Sequence, residues 1–176
     1  MKQMLVEQRQ SEEVPVYYFP VHVMPQRVTP IEVIGLTEAV EQAGTIQLSD
    51  LARSFQRQSS PHFLSVLKAA QELGLIQREE ALVHLTDLGL GFARASDGKE
   101  AIIRAGLARI EPFKSALELL SKKKAISAQD VSEALLKRNF ILPSPMSKDF
   151  VLASLIEWGI ASGLLAYNGK AFSLLG

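Results

Sequence analysis

Three histidines, paired acids and scattered serines are the residues of this 176-residue chain whose types could do chemistry, and their spacing decides whether they do. His22, His62 and His84 fall on an arm, a helix start and a hairpin, without the close spacing that metal ligation asks for. Glu12-Glu13 and Glu79-Glu80 sit in tail or turn sequence, where charge serves solvation; acid/base work needs carboxylates that converge in a cleft. No serine stands in a G-x-S-x-G elbow, and no G-x-x-x-x-G-K-[ST] loop offers backbone N–H groups to nucleotide phosphates. With no cysteine, disulfides, thiolate catalysis and sulfur-bound zinc are excluded. The expectation is therefore a non-enzyme, with no catalytic, cofactor-binding or metal-binding residues and no cofactor.

Composition narrows the partners. Nineteen basic residues balance nineteen acidic ones, so the chain exerts no general attraction on nucleic acid or anionic membrane. The apolar-rich stretch from Val151 to Ala166 is interrupted by Glu157, and the N-terminus lacks a continuous apolar signal. A cytoplasmic protein with no direct membrane insertion is expected.

The elements follow from capping residues and apolar spacing. Residues 1–28 carry Pro15, Pro20 and Pro25 and read as an extended arm, with an edge strand near Val16 to Phe19. Two readings stand for Tyr17, Tyr18 and Phe19: they pin the arm on the domain, or they make a homodimer or partner contact. Cutting the arm at residue 26 is then expected to leave the fold nearly intact. Thr29, Pro30 and Glu32 announce a helix that ends at Gly44. Ile46 is a short strand, Leu48 to Phe55 a small helix, and Ser60-Pro61 opens a third helix stopping near Gly74. Leu75–Arg78 and Leu82–Leu85 form a hairpin, and Thr86 caps a helix reaching about Ala95. That order, with Leu85 to Ala93 as the exit from the wing, is the order of a winged helix.

The pattern then returns. Lys99 to Ile110 reads as a connecting helix, and Pro112 starts another that buries Phe113, Ala116, Leu117 and Leu120. Ile46 recurs as Ile126, 80 residues on, and Gly74 as Gly163, 89 residues on; the difference falls where Pro143-Ser144-Pro145 lengthens a turn. Ser127 with Asp130 caps one helix, Ser147 caps a long one ending at Gly163, and Asn168-Gly169 signals a type I′ hairpin before Phe172–Leu175. The expected fold is mainly α with small β-hairpins, arranged as two tandem winged-helix (winged helix-turn-helix) units: residues 29–96, and 97–176 with the connecting helix.

A winged helix raises the alternative of a DNA-binding transcriptional regulator, with Arg53, Arg57, His62 and Lys68 around the third helix as its contacts. That set is thin, and Glu72, Glu79 and Glu80 oppose it. Trp158, spaced helically from Val151 and Leu155, defaults to the core, with a partner-facing role as the other reading; Tyr167 beside the second hairpin is a further candidate contact.

Four places carry a family resemblance: Gly35-Leu36; Leu85-Thr86 with Gly89 and Phe92-Ala93; the stretch from Arg104 to Phe113; and Glu157-Trp158-Gly159 leading to Leu165-Ala166-Tyr167-Asn168. With them, residues from about Arg27 to Asn168 resemble the AAA-associated C-terminal domain, the appendage that follows the ATP-binding cassette in nitrate-, sulfonate- and taurine-type ABC transporter ATPases. The resemblance implies a non-catalytic regulatory module whose partner is an ABC transporter ATP-binding subunit or domain, and it brings no catalytic residues with it. The cassette's own Walker A loop is not in this sequence.

Overall fold

The computed structural model describes residues 22–55, 60–140 and 148–175. Tyr17, Tyr18, Phe19, Arg57, the Pro143–Pro145 turn and Ser147 lie outside the described residues. The chain is mainly helical, with two small antiparallel sheets.

Helix α1 (Pro30–Ala43) starts where the sequence places it, because the Glu32 carboxylate accepts from both the Thr29 backbone N–H and the Thr29 hydroxyl at 2.9 Å. Strand β1 (Ile46–Gln47), α2 (Leu48–Ser54) and α3 (Ser60–Glu72) follow, then the hairpin of β2 (Ile76–Glu79) and β3 (Leu82–Leu85). The first sheet runs β1-β3-β2, with Ile46 opposite Val83 and Ile76 opposite Leu85. Helix α4 (Asp87–Arg94) closes this part, and α1 is packed by α3, α4 and β3.

Helix α5 (Lys99–Leu107) is shorter than the sequence suggested. It stops before Ile110 because the chain must turn into a parallel bridge, in which Glu111 N–H donates to His22 O and Met24 N–H donates to Glu111 O. Helices α6 (Phe113–Leu120), α7 (Ala128–Lys137) and α8 (Lys148–Ser154) follow. The long helix expected up to Gly163 changes character part-way: Leu155–Ile160 is π-helical. A second hairpin, β4 (Leu165–Tyr167) with β5 (Phe172–Leu174), completes the described chain.

The turn between β4 and β5 corrects the type I′ expectation. A type I′ turn needs positive φ at both central residues. Here Asn168 N–H donates to Ala171 O, so the central pair is Gly169-Lys170, and only Gly169 has positive φ. Asn168 sits one place earlier, where its side-chain oxygen accepts from the N–H groups of Lys170 and Ala171.

The two halves repeat in hydrogen-bond detail. Gly74 N–H donates to Gln71 O and Leu75 N–H to Ala70 O; Gly163 N–H donates to Ile160 O and Leu164 N–H to Gly159 O, all at 2.9 Å. Each is a helix end closed by a left-handed glycine, φ +77° and +67°. Eleven residues beyond each, Thr86 N–H returns to Leu75 O and Leu175 N–H to Leu164 O. Ile46 pairs with Val83 in the first sheet, and Ile126 bridges Phe172 beside the second.

One continuous set of buried apolar side chains runs from Met24 through Leu36, Leu73 and Leu107 to Trp158 and Phe172. Met24 and Val28 belong to it, with Val23 packed against it. Met24 and Val28 are buried, so a cut at residue 26 would remove core; a truncation that spares the fold has to stop before His22.

Helix α7 begins at a second capping box, in which Asp130 accepts from the Ser127 N–H and hydroxyl at 2.7 Å and from Lys123 at 3.0 Å. The Ser127 backbone and hydroxyl bonds, with Lys123, hold the Asp130 carboxyl down at about 2. A depressed carboxyl contributes stability above its ordinary pKa, and this contribution disappears as pH falls through about 2. After allowance for solvent screening it amounts to about 1 kcal/mol. Urea unfolding of the parent and Asp130→Asn should therefore differ at pH 6 and converge near pH 2.

Candidate functional site

The residues that could act chemically are dispersed. His22 meets Glu72 at 2.7 Å, His62 Nε2 meets Glu32 Oε1 at 2.6 Å, and His84 lies on β3 opposite Gln77. Among the described residues no group of three or more His, Asp or Glu side chains is placed to hold a metal ion, and no helix is long and apolar enough to cross a membrane.

The Glu32 carboxylate does more than its capping motif announced, since it joins the start of α1 to the start of α3 through His62. Desolvation, the largest single influence, acts upward on its pKa. The hydrogen bonds from His62 and Thr29 outweigh it and leave Glu32 below the ordinary range. The DNA-binding alternative offers His62 as a contact; in the fold its ring meets this carboxylate. Arg53 similarly faces Asp50 at 3.1 Å, while Lys68 is exposed.

The Leu85 to Ala93 stretch is a junction. Thr86 Oγ1 donates to Gly74 O at 2.6 Å and accepts from Gly89 N–H at 2.9 Å, tying the closed end of α3 to the first turn of α4. Gly89 is required because a Cβ there would lie 1.8 Å from the Leu75 carbonyl oxygen. Phe92 is buried one turn on. Replacing Thr86 with valine keeps the shape and removes both bonds, which should cost about 1–2 kcal/mol in urea unfolding.

The stretch from Arg104 to Phe113 is a seam between the two repeats. Arg104 Nη1 donates to Ser162 O at 2.8 Å, placing a cation at the C-terminal end of the π-helical segment. The Arg109 guanidinium approaches Gly74, at the corresponding end of α3. Glu111 is 5% exposed and its carboxylate accepts from Ser115 N–H at 3.1 Å, capping α6 from outside the helix. That cap escaped the sequence reading because Glu111 precedes a proline and occupies no standard N-cap position.

Glu157-Trp158-Gly159 completes the set. Trp158 is 1% exposed, and its Nε1 donates to Val28 O at 2.7 Å. The core reading holds for Trp158, and it presents no surface to a partner. Gly159 makes room for Leu165, whose Cδ1 would stand 2.7 Å from an added Cβ. Tyr167 stacks on Phe172 with ring centroids 4.5 Å apart and stays half-exposed at the hairpin.

Thr86, Gly89, Arg104, Glu111, Trp158 and Gly159 thus each hold one helix end, strand or turn against another. Residues 51–168 match the family described as the C-terminal AAA-associated domain. The chain belongs to that family. Comparison with curated proteins and with solved structures returned no match. In this AAA-associated domain the matched span runs from Leu51 of α2 to Asn168 in the second turn, so it takes in the seam and most of both repeats, and leaves out α1, β1 and β5.

Proposed function

We propose that this AAA-associated domain is a non-catalytic accessory module that regulates an ABC importer ATPase of the nitrate, sulfonate or taurine type through protein contact in the cytoplasm. The family match over residues 51–168 carries the reading. It is supported by the structural employment of the motif residues: Thr86, Gly89, Arg104, Glu111 and Trp158 are all spent on the fold. We further read the fold as two tandem winged-helix units that meet near residues 95–99 and share α5. The shared glycine closures and the matching positions of Ile46 and Ile126 favour that reading.

The test is direct. The purified chain is mixed with the ATP-binding subunit of such an importer, and complex formation is followed by sedimentation together with the subunit's ATPase rate. A complex of about micromolar affinity, equivalent to roughly 8 kcal/mol, and an altered hydrolysis rate are expected. Calorimetry of the chain alone with Mg-ATP should be flat. No complex and no rate change would overturn the proposal; a salt-sensitive nanomolar complex with duplex DNA, weakened by Lys68→Ala, would replace it with the regulator reading.

The arm supplies a second arm of the same experiment. A chain beginning at His22 keeps the described core, so it should fold, and loss of association in it would assign the contact to Tyr17, Tyr18 and Phe19.

A further inference from the structure

Three features that depart from relaxed backbone or satisfied polarity border one cavity of about 250 Å3, between residues 26–27 and α8 with its π-helical continuation. Arg27 has φ +57°, the left-handed region that costs a residue with a side chain about 1 kcal/mol or more. The helix passes from α to π geometry at Leu155, so Ser154 and Glu157 flank that change; π-helical turns concentrate at functional sites. Ser154 is 5% exposed, lines the cavity, and its hydroxyl has no hydrogen-bond partner among the described residues. Buried hydroxyls are normally paired, so this one points to something that is bound there.

The charges tell the same story. Arg27, Asp149 and Glu157 all line this space, and none forms an ion pair among the described residues. All three are exposed, so they stand at the mouth of the cavity, around the buried Ser154. Unpaired charges of both signs, held apart around a small volume, complement a molecule that carries both signs itself. Phe150 adds an apolar wall. The volume lies just below the range of drug-sized pockets, roughly 300–1,000 Å3, which sets the ligand at amino-acid size. Burial, with the Glu32 carboxylate, also holds Glu157 above the ordinary carboxyl range, the shift that a cationic partner would relieve.

We propose that this cavity binds a small zwitterion, its oxyanion at Arg27 and Gln26 and its ammonium at Asp149 and Glu157. The site stands whether or not the chain serves an importer ATPase, because binding is read on the chain alone. Calorimetry and thermal unfolding of the full chain are run with glycine, β-alanine, γ-aminobutyrate and 5-aminovalerate, which space the two charges progressively. Butylamine and butyrate, each with one charge, are the controls. At least one member of the series should bind with Kd of about 1 mM or tighter, raise the unfolding midpoint, and lose at least about tenfold in affinity in Arg27→Gly and in Asp149→Asn. Arg27→Gly relieves the left-handed backbone and should remain folded, so lost binding in it reports the guanidinium rather than the fold. No binding by any member at about 10 mM, equal binding by butyrate or butylamine, or unchanged affinity in both variants would overturn the proposal.

Discussion

Gly89→Ala should be the most damaging single-methyl change in this domain. The added Cβ would lie 1.8 Å from the Leu75 carbonyl oxygen and 2.7 Å from its carbon, both backbone atoms that no rotamer change can move aside. Helix α4 would have to withdraw from the end of α3, breaking the Thr86 bonds to Gly74 O and Gly89 N–H and loosening Phe92 from the core. Overpacking together with a lost cap gives an expected cost of about 3 kcal/mol or more. Urea unfolding measures it. Gly91→Ala, two residues on and with nothing within 4 Å of its added Cβ, is the internal control and should be neutral or slightly stabilising. Equal stability of the two variants would refute the junction as described.

Trp158 should show a different loss. Truncation to alanine removes the largest fully buried side chain, with an expected cost of about 3–5 kcal/mol. Trp158→Phe retains most of the apolar contact but leaves the buried Val28 carbonyl without its donor, which should cost about 1–3 kcal/mol. The bond spans two distant parts of the chain, so amide exchange at residues 23–28 should accelerate in Trp158→Phe before the rest of the fold opens. Unchanged exchange there would mean that the Glu111 bridge alone anchors the segment.

Helix starts and stops are legible in neighbouring residues. Thr29 with Glu32, Ser127 with Asp130, and Thr86 before Asp87 are side chains that satisfy helix N–H groups within three residues, so type and spacing suffice to place the starts of α1, α7 and α4. Gly44, Gly74 and Gly163 close helices for an equally local reason, since their positive φ is open to glycine without strain. Apolar spacing likewise placed Phe63, Val66, Leu67 and Ala70 in the core.

Partners that lie far apart along the chain are set by the packing of whole elements. Glu32 meets His62 thirty residues away, Arg104 reaches Ser162, and Trp158 reaches Val28; no local pattern encodes such pairings. For the same reason the junction of residues 22–28 with Glu111 ended α5 early and drew the tail of the supposed arm into the core. The π-helical stretch is a case of the same kind. Leu155–Ile160 has ordinary helical spacing, and its widened turn appears where Trp158, Gly159 and Leu165 have to fit together. The candidate cavity shares this origin, because Arg27 and Asp149 come together only when the first and last parts of the chain close on one core. Local hydrogen bonds are fixed by neighbours in sequence, whereas long-range contacts depend on how whole elements pack, and that packing is what placed Arg27, Asp149 and Glu157 around one space.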